Sequence, residues 1–173
     1  MKKSIAFGIL GLILPSFLVS YSFLGADYTA VVGLGWILFF TGSSNFFGIF
    51  LSDPRIMILP GDWDGFGSLN GFAAQEFLRY FFSDSILVSN NSITIYGLLF
   101  TVSFILTVIG IIAYFVRPNS APIILFLAGI IGFISFLLFY QHANDSFLFN
   151  VNIPIPIGSI LLVIAGIIGF SEK

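Results

Sequence analysis

The chain has 173 residues, of which 58% are hydrophobic, 18% aromatic and only 8% charged, with a formal net charge of −2 at pH 7. Globular domains carry about a quarter charged residues, so this composition, with a mean hydropathy of +1.08, excludes an ordinary soluble domain. The slightly acidic balance offers no footprint for a nucleic-acid partner. The absence of Cys excludes disulfides, thiolate metal sites, iron–sulfur clusters and a cysteine nucleophile. A single His excludes a haem held by two histidines of this chain alone.

Apolar runs of about 20 residues cross a ~30 Å hydrocarbon core as helix, and five are read here: Ser4–Leu24, Thr29–Leu51, Ile93–Val116, Pro122–Tyr140 and Pro156–Phe170. The last is short, roughly 22 Å if helical throughout. Pro15 falls inside the first run and predicts a kink there. Lys2 and Lys3 before that run also match the start of a secretory signal peptide; the span-length run and the poor cleavage site around Ala26 predict a retained helix instead. The expected fold is an all-α integral membrane helix bundle, one polytopic domain over residues 1–173, with a small cap of strands and an amphipathic helix on one side, formed by residues 52–92 and 141–155.

In the cap, Arg55–Leu59 and Ser85–Ser89 read as short strands, and Phe147 to Ile155 alternates at period two, with Pro154 and Pro156 suiting an edge. Gly71–Phe82, after Asn70 as N-cap, reads as a helix whose Phe72, Phe77, Tyr80 and Phe81 bed into the interface. Five spans place the termini on opposite sides. The long loops then share a side with Lys2, Lys3, Arg55 and Arg79, against Arg117 and Lys173, which puts the long loops in the cytoplasm. Two N-x-S sequons, Asn90-Asn91-Ser92 and Asn144-Asp145-Ser146, put them outside. The orientation stays open.

The string AGIIGF occurs at Ala128–Phe133 and again at Ala165–Phe170. Small residues four apart let membrane helices approach closely, so Ala128, Gly132, Ala165 and Gly169 are candidate helix-packing positions; restricted span vocabulary also repeats such strings by accident. Thr41-Gly42-Ser43-Ser44-Asn45 puts an amide in the second span. Ser43, Ser44 and Asn45 are therefore candidates for a quinone or small-molecule pocket, set against simple back-bonding to the helix and a bridge to a neighbour.

Gly61–Gly71 (GDWDGFGSLNG) is rich in turn residues. With Asp62 and Asp64 as the first ligands of a calcium loop, Phe66 and Ala73 fall where an oxygen donor and a bidentate Glu belong. Asp62, Asp64 and the lone His142 are the weak metal candidates, and no metal site is expected. A turn presenting Trp63 and Phe66, with Phe72 beside it, to membrane or partner suits the same residues. No catalytic set, P-loop, dinucleotide fingerprint or zinc spacing is present, so the chain is not expected to be catalytic by itself.

Gly33–Gly42 (GLGWILFFTG), read as a Gly-Trp span, followed by a long loop, an amphipathic stretch, a third span ending at Arg117 and a tight turn into a fourth, resembles the DoxX/DoxD-like group of small membrane proteins over about residues 29–140. Some of that group are subunits of membrane redox complexes, including a thiosulfate:quinone oxidoreductase, and the resemblance implies Arg117 in the cytoplasm and the long loops outside. The two-loop plan is also similar to claudin-like tetraspan proteins, whose loop cysteines are wholly missing here. The expected function is a non-catalytic accessory or structural subunit of a multi-subunit membrane complex of respiratory or redox type, with no cofactor of its own beyond a bound lipid or quinone. Its partners are the lipid bilayer and other integral membrane subunits, and a prokaryotic plasma membrane suits the absent Cys and scarce Lys. The alternatives are a quinone-binding or small-molecule transport protein acting alone or as a homo-oligomer, and an envelope or viral membrane structural protein.

Overall fold

Pro15 sets the first boundary. It has no N–H to donate, and its ring collides with the carbonyl four residues back, so a helix that reaches it stops. The computed structural model describes residues 3–23, 26–41, 55–58, 95–145, 149–153 and 155–172. In it α1 (Lys3–Ile13) ends before the proline, and strand β1 (Pro15–Phe23) begins on it. Past Pro15, Phe17, Val19, Tyr21 and Phe23 alternate with Ser16, Leu18, Ser20 and Ser22, a period-two pattern of strand-forming residues. The first expected span is therefore half helix and half strand, and the proline terminates it where a kink was expected.

The second expected span is also corrected. β2 (Ala26–Gly33) and β3 (Trp36–Thr41) pair antiparallel with Gly33 opposite Trp36. Leu34 and Gly35 are left as a two-residue turn, and Gly35 holds φ +79°, a conformation that glycine adopts without steric cost. The Gly-Trp string expected in a helix is thus a hairpin; residues 42–51 lie outside the described residues. A Cβ on Gly35 would be strained by its φ and would also meet the ring of Phe104. Gly35→Ala is expected to destabilise the protein by about 1–2 kcal/mol, read as a lower thermal midpoint in detergent. An unchanged midpoint would contradict the described turn.

β4 (Arg55–Ile58) pairs with β3, and β5 (Phe149–Ile153) pairs with β1. The result is one antiparallel sheet in the order β4-β3-β2-β1-β5. The strands expected from Arg55 and from Phe147 are present as its two edges. The strand expected at Ser85–Ser89 and the helix at Gly71–Phe82 lie outside the described residues.

Three more helices follow: α2 (Ile95–Val116), α3 (Ala121–Asn144) and α4 (Ile157–Ser171). Among the described residues, α2 with 22 residues and α3 with 24 are the two helices long and apolar enough to cross a membrane. At about 33 and 36 Å they exceed a ~30 Å core. α1 and α4, with 11 and 15 residues, do not reach that length. Among the described residues the five-span, all-α expectation therefore becomes four helices and a five-stranded sheet.

Heptad spacing organises the helices. The buried positions of α2 include Tyr96, Phe100, Ser103, Thr107, Gly110 and Tyr114, alternately four and three apart. Those of α3 include Ala121, Leu125, Ala128, Gly132, Ser135 and Phe139 with the same alternation. Gly158, Leu162, Ala165 and Gly169 continue it on α4. A 3.5-residue repeat keeps one seam facing a neighbour only if the helices coil left-handedly, the common arrangement of membrane bundles. α3 packs between α2 and α4, and α1 closes against α4 and α2.

The sheet is rooted among the helices where a cap lying on top of them was expected. Phe104, which meets the β2–β3 turn, lies about 13 Å along α2 from its start. Trp36 Nε1–H donates to the Leu12 carbonyl at the end of α1 (3.0 Å). Phe17 of β1 sits 5.2 Å from Phe139, 5.5 Å from Phe136 and 6.3 Å from Phe100, between ring centroids. Ser16 through Ser20 are all buried, so both faces of the start of β1 are covered. β1 has its backbone paired on both sides, with β2 and β5.

Candidate functional site

Three features of the described residues hold chemistry: a hydroxyl and glycine seam, a carboxylate latch between the chain ends, and an apolar groove beside Arg117.

In the seam, Ser103 Oγ donates to the Ala128 carbonyl (2.8 Å), and Ser135 Oγ donates to the Tyr96 carbonyl (2.6 Å). The two bonds run in opposite directions between α2 and α3 and lie seven residues apart on each helix, so they lock the antiparallel register. Thr107 Oγ1 donates within its own helix to the Ser103 carbonyl (2.8 Å). Gly132 lies between Ser103 and Ser159; a Cβ there would be 2.7 Å from each hydroxyl oxygen. The candidate packing residues Ala128, Gly132, Ala165 and Gly169 are all buried. Gly132 is where α2, α3 and α4 meet, and Gly169 lies against Pro122 of α3 and the Tyr114 hydroxyl of α2. Gly129 and Gly166, their neighbours in the repeated string, make the α3–α4 contact with Val163 and Phe126. Ser103, Ser135 and Ser159 were not singled out from sequence. The available signal was small or hydroxyl residues recurring every seven positions, at 96, 103 and 110 and at 121, 128 and 135.

The latch sits at the other end of the bundle from the sheet. Glu172, just past α4, accepts the Lys3 backbone N–H (2.8 Å) and the Ser4 hydroxyl (2.6 Å), with the Ser4 N–H at 3.4 Å. A carboxylate there satisfies the unpaired amides that start α1 and complements its dipole. Opposite termini are thereby corrected, since the start of α1 and the end of α4 touch. Glu172→Ala is expected to cost about 1–2 kcal/mol, measured by thermal unfolding in detergent, and Ser4→Ala less. If Glu172→Ala is neutral, the latch adds no stability.

His142, a metal candidate, is exposed in the last turn of α3, with its ring centroid 5.6 Å from that of Tyr96. Among the described residues no three His, Cys, Asp or Glu side chains gather as a metal site. Ser43, Ser44 and Asn45 of the pocket candidate, Asp62 and Asp64, and the partner-contact candidates Trp63, Phe66 and Phe72 lie outside the described residues. The groove, of about 410 Å³, opens between the last two turns of α2 and the first turn of α3 and is lined by Ile109, Ile112, Val116, Arg117 and Ile124, among others.

The described residues define a bundle of four helices with an inserted antiparallel sheet, two of the helices being long and apolar enough to cross a membrane. The chain matches no protein-family model and no curated protein.

Proposed function

We infer that this is a multi-pass membrane protein, a non-catalytic scaffold that presents its sheet on the outer side of the membrane and docks other membrane subunits. The observation that carries this reading is the exposure of its apolar helices. Only 33% of the most apolar window of α2 is buried, and 39% of that of α3. The core helix of a soluble protein would be mostly buried, and neither helix lies at the chain start, where a signal sequence would. Exposed Ile105, Ile109, Ile112 and Phe115 on α2, with Ile123, Leu127, Ile130, Ile134 and Leu137 on α3, make a surface that water would disfavour and lipid would not. The short α1 and α4 complete the bundle by packing on each other and on the long helices.

The corrected helix count also supports one orientation. With the start of α1, the end of α4 and the α2–α3 turn on one side, the adjoining Lys and Arg in sequence are Lys2, Lys3, Arg117 and Lys173, against Arg55 and Arg79 in the α1–α2 connection. The positive-inside rule then puts the ends in the cytoplasm. One N-x-S sequon precedes the start of α2 in sequence and the other begins at Asn144 at the end of α3, so on this reading the sequons and the Lys/Arg count point the same way.

No Asp, Glu, Lys or Arg lies within α2, α3 or α4, which disfavours a proton or ion pathway through the bundle. A scaffold of an assembly needs none. A redox complex is one class of partner in this proposal. The Gly33–Gly42 stretch that chiefly carried the DoxX-like resemblance is a hairpin, so that class rests on the α2–turn–α3 portion alone.

The test is native electrophoresis after gentle detergent extraction, with mass spectrometry of every co-migrating chain. A large band with other integral subunits supports the scaffold, and cofactor-bearing partners would specify a redox assembly. Migration as a monomer or a homo-oligomer overturns it.

A further inference from the structure

We propose that the groove between α2 and α3 binds one anionic phospholipid of the cytoplasmic leaflet, an acyl chain along its apolar floor and the headgroup phosphate on Arg117. The proposal rests on the membrane reading above.

The groove has the right chemistry at each level. Its walls are Ile109, Ile112, Ala113 and Val116 of α2 and Ile124 of α3, and Ile112 and Val116 remain 55% and 73% exposed. They form a side open to the surroundings along its length. α2 and α3 are in direct contact, with axes of packed helices about 8–10 Å apart. A single acyl chain can lie in the slot between them.

Arg117 is the first residue after α2 and lines the mouth of the groove. Its place at the end of a membrane-length apolar helix is the level at which headgroup phosphates lie. A guanidinium fork matches phosphate oxygens in pairs. Among the described residues no carboxylate pairs with it: Glu172, the one acidic residue at this end of the bundle, accepts hydrogen bonds from the start of α1.

The turn that carries the arginine is fixed. Its carbonyl accepts both the Ser120 N–H (3.1 Å) and the Ser120 hydroxyl (3.0 Å). Ser120 therefore makes no side-chain cap to α3, and the positive end of that helix adds to the field beside the groove. Charge complementarity selects an anionic headgroup over a zwitterionic one.

The full chain, purified in mild detergent, would be offered equal amounts of phosphatidylglycerol and phosphatidylcholine of the same acyl composition, and retained lipid counted by native mass spectrometry. The wild type is expected to favour phosphatidylglycerol by about fivefold, the scale of one cation at the headgroup level. Arg117→Gln should abolish that preference, whereas Lys3→Gln, which removes an exposed charge at the same end, should keep it. Ile112→Trp, which fills the slot, should lower retention of both lipids. Equal retention by the wild type, or a preference unchanged in Arg117→Gln, overturns the site. Displacement of the lipid by millimolar inorganic phosphate would show a bare anion site and overturn the lipid assignment. Alkaline carbonate extraction separates the two levels of failure: release of the chain from membranes sinks the membrane reading together with the site, whereas a retained chain without lipid preference sinks the site alone.

Discussion

Replacing Gly166 with Val is expected to lower the stability of the bundle by about 3 kcal/mol, the upper range for forcing extra atoms into a packed contact. At this chain length that is a fall of roughly 6–12 °C in the thermal midpoint. A Cβ on Gly166 would lie 2.8 Å from the Cα and 2.9 Å from the backbone N of Phe126. Those atoms belong to α3 and cannot rotate away, so the two helices must separate. Separation would also pull apart the Gly129 contact with Val163 and the junction of Ser103 and Ser159 around Gly132.

Gly8→Ala is the informative contrast. Its Cβ would meet the tip of Leu125, Cδ1 at 3.1 Å, which can shift, and alanine favours helix by about 1 kcal/mol over glycine. It should be close to neutral. Circular dichroism melts of both variants in one detergent decide the matter. Equal midpoints would mean that α3 and α4 are not in backbone contact at Gly166.

The second large effect concerns sidedness, and the absence of Cys makes it simple to read. Asn119 is exposed in the α2–α3 turn, and Asp145 is exposed past the end of α3, with a helix of about 36 Å between them. In intact cells an impermeant maleimide should label Asp145→Cys, and should label Asn119→Cys only after the membrane is opened. Labelling of both from outside would mean that α3 does not cross. The reverse pattern would place the sheet in the cytoplasm against the lysine and arginine count.

Much of the helical part was legible in the sequence. Ile93–Val116 and Pro122–Tyr140 differ from α2 and α3 by only a few residues at each end, because long apolar runs between polar residues leave little choice of helix boundary. β4 and β5 were legible as a short apolar run bounded by Pro54 and Pro60 and as an alternating run before Pro154 and Pro156. The first half was misread because hydropathy does not report period. Ser4–Leu24 and Thr29–Leu51 are apolar enough to span, but Pro15 and the Leu34-Gly35 turn divide them, and the residues between alternate at period two. Counting them as two helical spans followed from hydropathy alone.

The seam was legible as composition and not as contact. Ala128, Gly132, Ala165 and Gly169 stood out as small residues four apart, while the hydroxyls of Ser103, Ser135 and Ser159 carried no mark until facing helices brought them to a carbonyl or a glycine. The pocket candidates Ser43, Ser44 and Asn45 and the loop candidates Asp62, Trp63, Asp64, Phe66 and Phe72 lie outside the described residues.

By itself the sequence determined that the chain is unusually apolar and poor in charge, that long apolar helices lie on either side of a tight turn at Arg117, and that cysteine chemistry is absent. These are properties of composition and local period, and need no partner to be true. Only the tertiary structure decided that the first apolar run divides at Pro15, that the sheet is rooted beside Phe104, that Glu172 reaches the start of α1, and that Arg117 stands at the mouth of an open groove. Each of those depends on residues far apart in the chain, and burial and hydrogen bonding between them cannot be read from either residue's neighbours in sequence.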